Sequence, residues 1–477
     1  MKKIENKTYN DFSKNDSFEY LIKTTKFGIL SLFILGLAAC SDFVEIDPPK
    51  NTLVTETVFE DASTVESALA NVYYNMREDG MVSPNFGLGI LMSSYSDELD
   101  YYNFNSKFLN IYNHNVIDTD DTALSWWIHA YNIIYAVNDI IKGVDNSSAL
   151  TIAEREEFKG QAVFVRGYMH SLLVALYGDV PYITTTNYLE NNTVSRIPES
   201  QVYANIITDL KEAINLLDDA DNSGEHVIPN KSVAKALLAR IYLYTENWEL
   251  AEETSSEIIN AFNLEIDVTK VFLKESPETI WQFKPGDYPQ NNSQVAQWLI
   301  ISFIPGQSYA ITENLLDAFE LDDLRLTNWI GSYTSTNGLT TLHYAYKYKE
   351  TFNTTTMSIE YYIIFRLAEQ YLIRAEARAY QGNIIGAQQD LNAIRNRSGL
   401  PNTTAATMND LLDAILQERY LELFTEGHRW FDLKRTGKAS EVLSPIKSNW
   451  KETNILFPIP ANEIELNPNL KPQNPGY

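Results

Sequence analysis

The chain has 477 residues, with 37 Lys and Arg against 63 Asp and Glu, a formal charge of −26 and a pI near 4.6. A surface this acidic repels phosphate backbones, which argues against a nucleic-acid binder, and it disfavours polyanionic ligands unless a local basic patch overrides the average. The single cysteine, Cys40, leaves no disulfide and no thiolate metal site in the residues after it, while 29 Tyr, 21 Phe and 8 Trp supply flat rings, many with a polar handle, for interfaces as well as core.

Taken in chain order, Lys23 and Lys26 stand before an apolar run, residues 27–39, which ends in Ala38-Ala39 directly before Cys40. A cationic lead, an apolar centre and small residues at its end predict a secretion signal over residues 1–39. The run is shorter than the roughly 20 residues of a membrane-spanning helix. The ending Leu37-Ala38-Ala39-Cys40 resembles the bacterial lipoprotein box, which implies that the Cys40 thiol receives a diacylglycerol and becomes the new N-terminus. Residues 1–22 are mostly polar and unlike a usual signal start, so a long leader and a start nearer Lys23 both stay open. Cleavage would remove six lysines and four acids, leaving 438 residues with a charge of −28. No later run is long and apolar enough to span a bilayer, so the mature chain is expected to be soluble and held by lipid alone. Multiple acyl chains anchor stably where one is marginal.

Residues 40–57 read as a lipidated tether, with Pro48 and Pro49 blocking helix. Ser63-Thr64-Val65-Glu66 is a capping box that opens a helix toward Met76, and residues 79–121, rich in Asn, Asp, Ser and Tyr, read as long loops. Helices are expected over 122–142, over 151–177 behind a second capping box (Thr151 with Glu154), and over 199–217. Two helix pairs are tetratricopeptide-like: 231–246 with 248–261, and 366–381 with 384–397. Leu238, Ala239 and Tyr242 fall where that repeat places apolar and small residues, and Ala375 and Ala387 repeat the interval between Ala239 and Ala251. Between the pairs, residues 263–360 are loop-rich, with a strand-like stretch at Thr279-Ile280-Trp281-Gln282-Phe283. The predicted fold is mainly α: tetratricopeptide-like pairs form a scaffold, with an N-terminal helical part (58–262), a loop-rich, short-strand ligand-binding insert (263–360) and a C-terminal helical part (361–477).

The last hundred residues carry an ordered series. Arg366-Leu367-Ala368-Glu369 leads to Arg374-Ala375-Glu376-Ala377, then Arg395-Asn396-Arg397-Ser398-Gly399, Glu418-Arg419-Tyr420-Leu421-Glu422-Leu423 and Glu426-Gly427-His428-Arg429-Trp430. The chain closes on Pro458-Ile459-Pro460 and Asn474-Pro475-Gly476-Tyr477, and upstream Arg166-Gly167-Tyr168 and Leu176-Tyr177-Gly178-Asp179 belong to the same pattern. In order and spacing, and over essentially the whole mature chain, this resembles the SusD/RagB family of Bacteroidetes outer-membrane nutrient-binding lipoproteins. The resemblance implies a lipid-anchored, cell-surface glycan-binding protein of the outer membrane. It would capture oligosaccharide or polysaccharide without catalysis and act as a lid on a SusC-like TonB-dependent transporter. The implied partners are that transporter, the glycan and the membrane lipid, with no nucleic acid. Peptide capture as in RagB, a surface glycoside hydrolase and a protein-binding scaffold are the alternatives.

No cofactor is expected: the chain has no phosphate loop, no dinucleotide fingerprint and no Gly-x-Ser-x-Gly, and its six histidines show no zinc-helix spacing. Asp219, Asp221 and Ser223 copy the start of an EF-hand loop, but the twelfth position is Asn230 where a bidentate Glu is expected, so a solvated turn is preferred to calcium. Glu418, Arg419, Glu422, Glu426 and Arg429, with His428, are read as a structural ion-pair network in which the two arginines partner the acids, and no catalytic residue is assigned. Glycoside hydrolysis asks only for two suitably spaced carboxylates, and nothing singles out a pair among the 59 acids of the mature chain. Sugar binding asks for exposed rings beside Asn, Asp or Arg. The loop candidates are Tyr95, Asp97, Tyr101, Tyr102, Asn103, Tyr288, Asn291, Trp298 and Trp329, each with loop packing as its alternative. Trp126, Trp127, Trp248, Trp281 and Trp430 are expected in the core.

Overall fold

The computed structural model describes residues 58–286, 300, 309–350 and 358–477. Cys40, Tyr288, Asn291 and Trp298, together with the expected signal and tether, lie outside the described residues. Among the described residues no helix is long and apolar enough to cross a membrane.

The helices named here are α1 (Ala62–Glu78), α2 (Leu88–Tyr95), α3 (Ser106–Tyr112), α4 (Asp121–Asn146), α5 (Ile152–Tyr177), α6 (Glu199–Leu216), α7 (Lys231–Tyr244), α8 (Trp248–Ala261), α9 (Leu367–Tyr380), α10 (Ile384–Arg397), α11 (Met408–Glu422) and α12 (Arg429–Arg435). Their ends follow local chemistry. The Thr151 hydroxyl accepts from the Glu154 amide at 3.3 Å while the Glu154 carboxylate accepts from the Thr151 amide at 2.8 Å, which is the capping box expected at the head of α5. At α1 the expected cap is displaced: Asp61, not Ser63, occupies the cap, accepting from the Ser63 amide at 2.8 Å. Asp binds the free amides of a first turn as well as Ser does.

Successive helices pack against one another from α4 through α8, and α8 then packs on α9, which packs on α10 and α11. The two tetratricopeptide-like pairs are therefore consecutive in space although about a hundred residues separate them in sequence. Small residues permit this approach: Ala239, Ala251, Ala375 and Ala387 are all fully buried. At Gly160 in α5 a Cβ would lie 2.7 Å from Leu217, so a larger residue would force α5 and α6 apart. Arg166 stitches the same region. It makes a bidentate pair with Asp209 of α6 (2.7 Å twice) and donates to Asn138 of α4 at 3.1 Å, which gives the Arg166-Gly167-Tyr168 motif a packing role. The C-terminal tail closes the end of α5: Asn474 donates to the Tyr177 and Phe457 carbonyls, and the Phe457 amide donates to Leu176.

The strands form two-stranded antiparallel sheets: β1 (Leu99–Tyr101) with β3 (Tyr309–Ile311), β2 (Thr279–Phe283) with β6 (Tyr362–Arg366), and β4 (Ile330–Thr334) with β5 (Thr341–Ala345). β2 coincides with the strand-like stretch expected from sequence, and its five residues are all buried.

Residues 79–121 depart from the loop expectation by containing α2, β1 and α3. All eight residues of α2 are buried. A helix covered on every side has no polar face, so the sequence shows no 3.6-residue periodicity to find. Close packing also explains Gly427. With φ at +80° and the Gly89 backbone 3.3 Å from where a Cβ would stand, glycine lets the Glu426–His428 loop lie against α2.

Candidate functional site

A cleft of about 350 Å³ opens between β1, the segment after β3, strand β5 and Lys447. The register Leu99↔Ile311, Asp100↔Ala310, Tyr101↔Tyr309 fixes which residues face it. Alternation along β1 buries Leu99 and Tyr101 and turns the intervening Asp100 into the cleft. The Asp100 carboxylate accepts from the Tyr112 hydroxyl at 2.9 Å, and the Lys447 ammonium lies 3.7 Å from the centroid of the Tyr112 ring while donating to the Ser94 carbonyl at 2.8 Å. Burial lowers Lys447 to about 8, with Asp100 and Asp97 opposing. Burial, and next the Asp100 charge, hold the Tyr112 phenol above its ordinary range. Tyr102 is 52% exposed at the mouth, and Phe104 beyond it is 92% exposed. Glu313, Asn314 and His343 complete the polar lining. Such a cleft offers exposed rings for apolar faces, carboxylates to accept from hydroxyls, and an ammonium and an amide to donate.

The sequence-derived candidates separate into wall and surface. Asp97 is 4% exposed and its carboxylate is held bidentately by Arg429 at 2.8 Å twice, with that guanidinium 3.9 Å over Tyr420. It therefore braces the cleft. Tyr95 is buried, donating to the Asn454 carbonyl at 2.7 Å, and Tyr101 packs on Tyr309 at 5.1 Å. Asn103 is half-buried and follows Tyr102 in the chain. Trp329 is corrected from a ligand ring to a core residue. It is 1% exposed, donates from Nε1 to the Val268 carbonyl at 2.7 Å, and lies under the cations Lys347 and Arg397 at 5.1 and 5.5 Å. Sequence reasoning missed Asp100, Tyr112, Glu313, Asn314, His343 and Lys447. The apolar-polar-apolar alternation Leu99-Asp100-Tyr101 could have found the first.

Beside Asp97, Glu98 is 1% exposed, and its carboxylate accepts from the Thr425 amide at 3.2 Å, with Ser93 also hydrogen-bonding to it. Burial raises its carboxyl to about 7, helped by Asp97. A carboxyl raised in the fold keeps its proton after the unfolded chain has released its own. It therefore favours folding most below the unfolded value, near 4.3, and loses that favour as pH rises to about 7. Glu98→Gln is thus expected to stabilise the protein at pH 8, on the order of a few kcal/mol, with the gain vanishing toward pH 4. Thermal melts of both proteins across that range check it.

The Glu418–Arg429 segment is a buried charge network, but its partners differ from expectation. Arg419 pairs with Asp432 at 2.7 Å and Arg429 with Asp97, so neither serves the glutamates. Glu422 accepts from Arg366 at 2.6 Å, from Arg325 at 3.0 Å and from Arg397. Glu426 accepts from Arg366 at 2.7 Å and Lys347 at 2.6 Å, and Glu418 meets Arg325 at 2.7 Å. Burial alone would raise Glu422, yet Arg397, Arg366 and Arg325 hold it well below the usual carboxylate range, and Arg366 and Lys347 lower Glu426 in the same way. Both carboxylates are thus held ionised as acceptors for the surrounding cations, whereas burial raises Glu418 despite Arg325 and Arg395. In the Asp219–Ser223 turn, Asp221 accepts from the Ser223 amide and hydroxyl and from the His226 amide, so its oxygens serve the turn itself.

Comparison with known proteins joins these observations. The SusD family model matches residues 318–477, and a second model, described as starch-binding and associating with the outer membrane, matches residues 42–243. SusD-like protein P2 of Formosa agariphila is 26% identical over 94% of this chain and 98% of its own length. A SusD superfamily protein from Bacteroides vulgatus superposes with a TM-score of 0.79 at 21% identity, over 88% of this chain and 100% of the other. A laminarin-binding SusD-like protein superposes with a TM-score of 0.74 at 24% identity, over 87% and 99%. With two models that between them take in both helical parts, a relative aligned nearly end to end and the same helical architecture, this chain belongs to the SusD/RagB family.

Proposed function

We propose that the protein is a cell-surface lipoprotein that captures an oligosaccharide in the cleft beside Tyr102 and delivers it, unchanged, to a SusC-like TonB-dependent outer-membrane transporter. The cleft carries this reading: the exposed Tyr102 ring lines it together with Asp100, Tyr112 and Lys447, which are held by hydrogen bonds and a cation–π contact. Preformed polar groups beside an exposed ring suit a neutral glycan with little ordering cost. The laminarin-binding structural neighbour supports the ligand class. The export signal, Cys40 and the family description support the location and the partner.

Laminarihexaose and maltoheptaose titrated into the full chain test it: at least one is expected to bind and be recovered intact by mass spectrometry. Cleavage products, or retention of peptides but of neither glycan, would overturn the proposal. Anchoring has its own test. Cys40→Ser is expected to shift the folded protein from the membrane to the soluble fraction and to abolish glycan-dependent growth. Persistence with the outer membrane would refute lipid attachment at Cys40.

A further inference from the structure

A second groove lies on α4, sharing no lining residue with the cleft beside Tyr102. Ile128, Tyr131, Asn132 and Tyr135 recur at helical spacing along the side of α4 that its neighbours leave uncovered. Ile128 is 42% and Tyr135 49% exposed, whereas Trp127, Ala130, Ile134 and Val137 are buried. The loop after α5 supplies Tyr188, which is 66% exposed, with Asn191 and Asn192, and the chain near its end supplies Glu463. Together they enclose about 550 Å³, within the range of about 300–1,000 Å³ typical of small-ligand sites.

The floor is rigid. Tyr131 donates to the Pro181 carbonyl at 2.9 Å and packs on Trp127 at 5.0 Å. Asn191 donates to the Thr185 carbonyl at 2.8 Å, while its Oδ1 is buried without a donor. Among the described residues, no Lys or Arg lines the groove. Its polar groups include side-chain amides and tyrosine hydroxyls, which both donate and accept, and one carboxylate, Glu463. An anionic ligand finds no countercharge there. A neutral polyol with apolar ring faces matches both the exposed tyrosines and the amides.

We propose that this groove is a second glycan-binding site, taking a neutral oligosaccharide segment. Two sites on one chain would hold a long polysaccharide by avidity, since engagement of the first raises the effective concentration at the second. This goes beyond capture in the cleft, which needs only one site.

The test uses the full chain, laminarihexaose and maltoheptaose as short probes and laminarin as the long one. The groove variant is Tyr135→Ala with Tyr188→Ala, and the cleft variant is Tyr102→Ala with Asp100→Ala. Tyr135, Tyr188 and Tyr102 are exposed, and circular dichroism checks that each variant is folded. Calorimetry is expected to give two equivalents of short probe for the wild type and one for each variant, with laminarin bound at least roughly tenfold more weakly by either variant. One equivalent for the wild type, unchanged in the groove variant, overturns the second site and leaves the cleft standing. So does a groove variant that keeps all glycan binding but loses co-purification with the transporter, which would make the groove a protein contact. Failure of the wild type to bind any probe overturns the second site and the proposed function together.

Discussion

Glu422→Ala is expected to be the most destabilising single substitution in the buried network. The side chain is fully buried and is shared by Arg325, Arg366 and Arg397, themselves at most 1% exposed on their side chains. Removing one member of a buried ion pair leaves the other charged in a medium that solvates it poorly, at a cost of about 3–5 kcal/mol. Here three guanidinium groups lose a common acceptor, against a total stability of only about 5–15 kcal/mol. Urea unfolding should show a midpoint shifted far down, or no folded baseline. Glu422→Gln keeps the volume and is expected to recover only part of the loss, because the charge is what the arginines need. Asp413→Ala, which breaks the exposed pair with Lys438, is the comparison and should cost under about 1 kcal/mol. The pH dependence has a definite sign. Glu422, Glu426 and Asp432 are held below the ordinary carboxylate range, so their contribution is complete above the unfolded values near 4 and fades as pH falls below them. Loss of stability with acid should be shallower in Glu422→Gln than in the wild type. An equally steep acid loss, or a urea midpoint like that of Asp413→Ala, would show that the network carries little of the fold.

The helical frame was legible because its signals are local. Capping residues, a 3.6-residue period and the paired alanines each act within a few turns, and α8 and α10 were located to the residue. What was illegible depends on contacts across the sequence. α2 hides because it is buried all round. Glu418 and Glu422 of α11 and Glu426 beyond it were recognisable as a charged cluster, but their true partners, Arg325, Lys347, Arg366 and Arg397, come from segments up to about a hundred residues away. Arg419 and Arg429, the nearest arginines in sequence, turn to Asp432 and Asp97 instead. Trp329 looked like a ligand ring because its neighbours are loop-like. Its burial follows from Val268 and Phe272, which the fold brings beneath it. The candidate cleft was half visible for the same reason: Tyr102 and Asp97 lie in one run, whereas Glu313, His343 and Lys447 arrive from three others.

The cleft makes the second large prediction. Tyr102→Ala removes an exposed ring without disturbing packing, and a binding anchor of this kind is worth about 2 kcal/mol, roughly a 30-fold loss of glycan affinity. Asp100→Ala removes a carboxylate that orients Tyr112 and that, in the proposed function, accepts from a glycan hydroxyl. Hydrogen bonds to charged groups contribute about 1.5–3 kcal/mol, so in the double variant the cleft site should bind several hundredfold more weakly, leaving any binding at the α4 groove unchanged. Trp329→Ala separates the readings, because truncating a buried Trp costs about 3–5 kcal/mol of stability while no cleft contact passes through it. Its melting temperature should fall sharply, with affinity below that temperature little changed. Tyr95→Phe should likewise lose about 1 kcal/mol with its hydrogen bond to Asn454 and leave binding intact. Titration calorimetry with laminarihexaose and maltoheptaose, set beside thermal melts of the same five variants, gives both columns. Wild-type affinity in the Tyr102 and Asp100 variants, or a Trp329 variant that melts normally but no longer binds, would move the ligand out of the cleft and back to the rings of the insert.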